Sequence, residues 1–248
     1  MQYSSRFWLY APFTVVVILT AAVAYLWWHA AGALETRLAA IKGQQAIPGI
    51  TIDWKTVRIG GFPFRVDADF TGFEVQGDGA YGPLFWSTEK FALHALTYGR
   101  SRTVYEAAGQ QGLGWTDAKG VAHAVQFLPG ALHASSITDA GGLVRFDLDI
   151  ANAGNKQFTA ARLQFHMRRD GGNLNLMVRA DSLTGFGAPR KLVQAYATLD
   201  KADSVAPFLR GEMPWTMAMG LWRGLGGKAV LSQTVEPELA AQALSPLY

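Results

Sequence analysis

The segment VRFDLDI, residues 144–150, decides the fold because apolar and charged side chains alternate along its whole length. Successive side chains of a β-strand point to opposite faces, so this pattern predicts a strand with one buried face and one face in water. The same alternation returns in residues 161–168 and 174–179, and Asp170-Gly171-Gly172 supplies the residues that a tight hairpin turn needs. The three segments predict an antiparallel meander.

The chain between Pro48 and this meander is also predicted to form short strands. Residues 64–70, FRVDADF, alternate in the same way, and we expect Phe64 to point into the core. Turns that contain glycine or proline separate the other candidates. Further strands are predicted at residues 50–59, 73–76, 86–98 and 121–127, whereas residues 99–120 lack a pattern and are predicted to form a loop.

The C-terminal part contains one helical pattern. Trp215, Met219 and Trp222 lie about one helical turn apart, which predicts a short helix over residues 214–225 that lies across the open side of the sheet. Gly226-Gly227 is predicted to end it, followed by a last strand at 228–235 and a terminal turn at 238–244. The fold class is therefore mainly β, a β-rich α+β fold whose antiparallel sheet is curled around its apolar face.

The N-terminal part has a different character. Residues 7–28 carry no charge, and about 22 residues at 1.5 Å each span a hydrocarbon core of about 30 Å. Aromatic residues collect at both ends of this stretch, as in membrane helices, and leucine and isoleucine then repeat at helical spacing as far as Gly43. We expect a cytoplasmic tail at 1–6, a transmembrane helix at 7–30, an amphipathic juxtamembrane helix with a linker at 31–47, and a periplasmic β-rich domain at 48–248.

The flanking charges predict the orientation. Arg6 precedes the apolar stretch, so the positive-inside rule places the N-terminus in the cytoplasm and the domain outside, although Arg37 and Lys42 follow the span. The alternative is a cleaved signal peptide, for which Ala31-Gly32-Ala33 offers a small-residue site. The length of the apolar stretch favours a retained anchor. The predicted location is a bacterial inner membrane, crossed once, with the C-terminal domain in the periplasm.

Composition excludes several kinds of site. The chain has no cysteine, which rules out disulfides and thiolate metal sites, and its 22 basic and 19 acidic residues are dispersed, which disfavours nucleic-acid binding. None of the five histidines stands in a metal-binding motif. Asp67 with Asp69, and Asp147 with Asp149, place two carboxylates about 7 Å apart on one strand face. Without a histidine or glutamate beside them in sequence, they are interpreted as solvated side chains. We therefore predict no catalytic site, metal or cofactor.

Three motifs of the sequence resemble those of a known protein family. They are the end of the apolar stretch at Tyr25-Leu26-Trp27-Trp28, the motif Gly61-Phe62-Pro63-Phe64-Arg65 before an alternating strand, and Trp222-Arg223 followed by Gly226-Gly227. With them the chain resembles an uncharacterised family of Gram-negative envelope proteins, domain of unknown function twenty-one twenty-five. The resemblance implies a membrane-anchored β domain that faces the periplasm, and it implies no activity.

Eight residues of these motifs are candidate structural or ligand-binding positions: Gly61, Phe62, Pro63, Phe64, Arg65, Trp222, Gly226 and Gly227. A packing role is favoured for the first five, because Gly60 and Gly61 permit a tight bend and Pro63 removes a ladder donor. Recognition of an anionic lipid headgroup by Arg65 stays open as the alternative.

Three hypotheses for function follow. The first is a non-catalytic envelope protein that binds a lipid or acyl chain on an apolar sheet face, and it rests on five large side chains: Phe64, Phe70, Phe146, Phe165 and Leu176. The second is a scaffolding protein that holds other envelope proteins through an exposed strand edge or through its tryptophans. The third, ranked lowest, is a hydrolase that uses the aspartate pairs.

Overall fold

A 36-residue helix and a 13-stranded antiparallel sheet make up most of the part of the chain that the structure, a computed structural model, describes: residues 6–96, 101–185 and 189–233. The helices are α1 Arg6–Ile41, α2 Ala206–Leu209 and α3 Trp215–Gly224, with a 3₁₀ turn at Ala202–Val205. The strands are β1 Gln44–Ile47, β2 Ile50–Asp53, β3 Thr56–Gly60, β4 Arg65–Gly79, β5 Gly82–Leu96, β6 Arg102–Thr116, β7 Ala122–Phe127, β8 Ala131–Asp139, β9 Gly142–Gly154, β10 Thr159–Asp170, β11 Asn173–Leu183, β12 Arg190–Leu199 and β13 Ala229–Gln233.

Helix α1 has two parts with different surroundings. From Leu9 to Leu19 its large apolar side chains are exposed, whereas Leu34, Leu38 and Ile41 pack against the sheet. The prediction that the helix continues beyond the uncharged stretch and stops near Gly43 is confirmed. Helix α1 ends at Ile41, and Gly43 follows with a positive φ of 66°. By length and composition α1 is a helix that could cross a membrane, which is typical of a signal sequence or a membrane anchor.

The strands follow one another across the sheet in chain order, with β3 and β7 as short side branches on β4 and β6. The predicted meander is confirmed as β9, β10 and β11, which pair antiparallel. The predicted C-terminal helix and last strand are confirmed as α3 and β13, while residues 238–244 lie outside the described residues.

Two predictions about the sheet are wrong. Residues 102–116, expected in a loop, form β6 between β5 and β8. Gly109, Gly112 and Gly114 interrupt the apolar alternation there, but ladder hydrogen bonds on both sides hold the strand. The sheet is also not strongly curled. In the described residues β1 and β13 end the path without pairing to each other, and helices cover the apolar face near both ends of the sheet.

The core consists of two clusters on the apolar face. The first gathers the end of α1 and the first strands around Trp54, Phe70 and Phe73. The second gathers β10, β11 and β12 with the helical segment from Ala202 to Trp222. Both clusters combine strands with a helical segment, because a single sheet face cannot bury itself.

Candidate functional site

The Gly61–Arg65 motif is a turn that leads into β4. Gly61 has a φ of 92°, and a Cβ placed on it would lie 2.7 Å from the carbonyl oxygen of Arg65, so only glycine fits. The Phe62–Pro63 peptide bond is cis. The expectation that Phe64 points inward is wrong, because its side chain is 64% exposed. The strand begins at Arg65, so its alternation does not extend to Phe64.

This turn is tied to α1 through Trp27. The indole Nε1 of Trp27 donates a hydrogen bond of 2.8 Å to the carbonyl oxygen of Arg65. The rings of Trp27 and Phe62 meet edge to face with 5.4 Å between their centroids, while Phe62 remains 55% exposed. The motif therefore joins the end of the uncharged stretch of α1 to the first long strand.

Trp222, Gly226 and Gly227 hold the end of α3 in place through close contacts. Trp222 is buried, and its Nε1 donates to the carbonyl oxygen of Asp200 over 2.8 Å. A Cβ on Gly227 would lie 2.3 Å from the indole, so the glycine lets the chain pass directly over the ring. Gly226 has a positive φ of 70°, which lets the chain turn after the helix. These contacts fasten α3 to the residue after β12 and to the residues before β13, and give all three positions a structural explanation.

The aspartate pairs have partners that the sequence did not show. Asp67 accepts hydrogen bonds of 2.8 Å from Nε of Arg65 and from Nδ1 of His94. Asp147 accepts bonds of 2.6 Å from Nε of Arg145 and from Nδ1 of His166. Each histidine lies on the next strand, 27 and 19 residues after its aspartate. The interpretation of Asp67 as solvated is wrong, since only 6% of it is exposed.

In the described residues, neither Arg–Asp–His cluster is completed by a nucleophile beside its histidine or by a metal site. On its other side His94 is opposite Val104, and His166 is opposite Met177, so neither histidine has a hydroxyl side chain directly opposite it in the register. In the same residues no group of three or more histidine, aspartate and glutamate side chains could hold a metal ion. Each cluster joins two neighbouring strands by side-chain hydrogen bonds on the polar face of the sheet.

Asp147 gives a pH-dependent prediction. Burial by itself would raise the pKa of Asp147, but the hydrogen bonds from His166 and Arg145 outweigh it and hold the pKa below the ordinary value of 3.8. A lowered pKa stabilises the fold above the unfolded-state pKa, and the contribution is lost as the pH falls through the folded-state pKa. We expect Asp147→Asn to lower the unfolding free energy by about 1 kcal/mol at pH 7 and by much less below the ordinary aspartate pKa.

Urea unfolding at neutral and acidic pH measures this effect. Asp69→Asn is the matched control, because Asp69 is exposed on the same polar face. It should change the unfolding free energy by less than about 0.5 kcal/mol at either pH. Equal losses for Asp147→Asn at both pH values would contradict the electrostatic explanation.

The other face of the sheet carries a continuous apolar strip. It crosses eight strands, β4 to β12 without the side branch β7, over about 34 Å at a strand spacing of about 4.8 Å. Its members are directly opposite one another in the register: Ala68, Leu93, Tyr105, Ala134, Leu148, Phe165, Val178 and Ala195. In the described residues neither helical region covers the whole strip, because α1 packs on the first strands and the α2–α3 segment packs on β9–β12.

A cavity of about 540 Å³ lies where this face meets α2 and α3, and its surface is entirely apolar. The sheet contributes β9 to β12, the helical segment contributes Phe208, Leu209 and Trp215, and Ile50 of β2 closes one side. The sheet residues are Leu143, Phe146, Phe165, Met167, Leu174, Leu176, Val178, Ala195, Tyr196 and Ala197. A larger depression of about 750 Å³ mixes Arg58, Lys90 and Glu106 with apolar residues and presents no uniform chemistry.

Sequence reasoning found part of this cavity. Phe146, Phe165 and Leu176 line it as expected for one apolar face, whereas Phe70 belongs to the other cluster. Ile50 and the α2 residues were missed, because their approach to the sheet depends on tertiary packing that no local pattern signals.

The comparisons with known proteins identify a family. A search of the curated proteins finds no match. Residues 27–245 match the model of a family described as "Uncharacterized protein conserved in bacteria (DUF2125)". The match covers most of the chain, and the protein therefore belongs to this bacterial family, as the Gly61–Arg65 and Trp222–Gly227 motifs predicted.

Proposed function

We propose that this protein is a non-catalytic, membrane-anchored envelope protein that binds an acyl chain or a similar lipid-like ligand between β9–β12 and the helices α2 and α3. The observation that carries the proposal is the apolar surface of the 540 Å³ cavity. Its volume falls in the range of about 300 to 1,000 Å³ that is usual for small-molecule sites. The ligand lacks charge at its buried end, since no polar group of the lining would compensate it.

The energetics favour an alkyl chain. Each buried methylene contributes about 0.8 kcal/mol, so ten of them contribute about 8 kcal/mol before the cost of ordering the ligand. That gain exceeds the lower end of the association cost, about 4 kcal/mol. A polar ligand of the same size would lose its hydrogen bonds to water and gain none from this surface.

The uncharged stretch of α1 supports the anchored location. It is long enough to cross a bilayer, its apolar side chains from Leu9 to Leu19 are exposed, and the basic Arg6 precedes it. With the N-terminus in the cytoplasm, α1 crosses the bacterial inner membrane and the sheet lies in the periplasm. The anchor then holds the domain close to membrane lipid.

Filling the cavity tests the proposal. Ala195 lines the cavity from β12, so Ala195→Phe places a ring in the ligand's space. We expect the full chain in detergent to bind a fluorescent fatty acid at least about ten times more weakly after this change, which corresponds to about 1.4 kcal/mol. The measurement is a fluorescence titration, accompanied by mass spectrometry of lipids that copurify with the unchanged chain.

Gln194→Phe is the matched control because it adds the same ring to the opposite face of the same strand. It should leave probe binding unchanged. Circular dichroism of both variants separates a filled site from a lost fold. Equal binding by a folded Ala195→Phe variant, together with an absence of copurified lipid, would refute the acyl-binding proposal.

The second candidate is a scaffolding role in an envelope assembly. It is favoured by β13, an edge strand in the described part of the chain, where Val230 is 68% exposed. An unpaired strand edge is a template for a partner strand. A photo-crosslinker at Val230 that captures a defined envelope protein in cells would favour this role, and crosslinking to none would count against it.

A further inference from the structure

Four arginines lie in one row across the end of the sheet where β4 begins. The register runs from Arg102 through Ile137 to Arg145 and then to Arg168. Arg65 occupies the same level on β4. From β4 to β10 the row covers about 24 Å, five steps at a strand spacing of about 4.8 Å. We call Arg65, Arg102, Arg145 and Arg168 the arginine row.

The next row on the same face fixes this alignment. Asp67 is opposite His94, His94 is opposite Val104, and Val104 is opposite Ser135. Arg65 and Arg102 precede Asp67 and Val104 by two residues on β4 and β6, which run in the same direction. Side chains two residues apart share a face of a strand, so all four arginines project from the polar face.

The arginine row carries a surplus of positive charge. All four residues are exposed. Arg65 is paired with Asp67 and Arg145 with Asp147, but the described residues include no ion-pair partner for Arg102 or Arg168.

The acidic groups at the neighbouring strand ends only partly offset this charge. Asp139, the last residue of β8, is already bound by Arg169. Asp170, the last residue of β10, is exposed.

Exposed aromatic side chains stand at the same end. Phe62 and Phe64 precede Arg65, and Trp27 binds the Arg65 carbonyl oxygen. Trp27 is one of the last residues of the uncharged stretch at 7–28. From Trp27 to Ile41, α1 advances about 21 Å beside β4, so the Phe62–Phe64 turn is level with the end of that stretch. Aromatic rings with nearby arginines are typical of a membrane–water interface.

We propose that this end of the sheet rests on the bilayer that holds α1, with Phe62 and Phe64 in the headgroup layer and the arginine row against the phosphates of anionic phospholipids. This inference rests on the anchoring part of the proposed function and is independent of the acyl-binding part. Its occupant is the membrane surface itself, because Trp27 connects the turn directly to the anchor helix. Arginine suits phosphate oxygens since its planar group donates two parallel hydrogen bonds.

The absence of native cysteine allows a direct test with single labels. The full chain carrying Phe64→Cys is labelled with a small fluorophore and placed in nanodiscs of phosphatidylcholine and phosphatidylglycerol that contain a spin-labelled lipid quencher. We expect at least twofold quenching at position 64. Lys119→Cys, on the turn at the opposite end of β6, is the control and should show none.

A charge reversal tests the arginine row. A label at Ala140→Cys, on the β8–β9 turn, should be quenched at least twofold more strongly with phosphatidylglycerol than with phosphatidylcholine alone. Arg102→Glu with Arg168→Glu should abolish that difference. Lys119→Glu with Lys156→Glu reverses two charges at the opposite end of the sheet and should preserve it.

Carbonate extraction separates the two proposals. If the chain stays in the membrane pellet and position 64 is not quenched, anchoring stands and the membrane-docked sheet end is overturned. If position 64 is quenched but Ala140→Cys shows no dependence on phosphatidylglycerol, the role of the arginine row is overturned. Extraction of the chain from the membrane would overturn the anchor and the docked end together.

Discussion

Replacing Trp222 by alanine should lower the unfolding free energy by about 3–5 kcal/mol, the usual loss for a large aromatic side chain removed from a core. The side chain is 7% exposed and packs in the cluster that joins α3 to β10–β12. The substitution also leaves the carbonyl oxygen of Asp200 without its hydrogen bond and leaves a void beside Gly227. Urea unfolding of the full chain in detergent measures the change.

Leu221→Ala is the matched control for Trp222→Ala. Leu221 precedes Trp222 on the same helix and is exposed, so its loss should cost less than about 0.5 kcal/mol apart from helix propensity. A loss at Trp222 no larger than the loss at Leu221 would mean that α3 does not pack on the sheet. The cavity described above would then lack one of its walls.

Replacing Phe70 by alanine should cost a similar 3–5 kcal/mol at the other end of the sheet. Phe70 is buried between Trp54, Phe73 and Phe91, with ring centroids 5.2, 5.3 and 5.8 Å away. Aromatic pairs in such tilted and edge-on arrangements add about 0.5–1.5 kcal/mol beyond their buried area. Thermal or urea unfolding is the readout, and the loss should accompany easier proteolysis of β4 and β5.

Phe64→Ala provides the contrast for Phe70→Ala, since the two residues share one alternating segment in the sequence. Phe64 is exposed, so its replacement should leave the unfolding free energy within about 0.5 kcal/mol while it alters contact with lipid. Equal destabilisation by the two changes would place Phe64 in the core and contradict the proposed membrane contact of the turn.

Local patterns predicted most of the elements of this fold. The uncharged stretch predicted α1, and the alternation in β9, β10 and β11 predicted the meander. The one-turn spacing of Trp215, Met219 and Trp222 predicted α3. These signals succeed because each arises from burial of one side of one element. The alternation failed at Phe64, because a turn begins there, and over β6, because glycines replace the apolar residues.

The candidate sites depended on contacts that a linear pattern does not contain. The partner of Asp147 is His166 on the next strand, and the register that brings them together is set by the whole ladder. The cavity similarly requires Ile50 to approach residues more than ninety positions later in the chain. The arginine row is also a property of register, since its members are dispersed in the sequence.

The chain-order arrangement of the strands has a consequence for how the protein is made. A nascent chain leaves the ribosome N-terminus first, and here nearly every new strand pairs with the one completed just before it. The sheet can therefore grow by successive addition of neighbouring strands, because most strand pairs are local in sequence and need no long loop to close. The contacts of Pro214 and Trp215 with the hairpin of β1 and β2 must wait until these much later residues have been made.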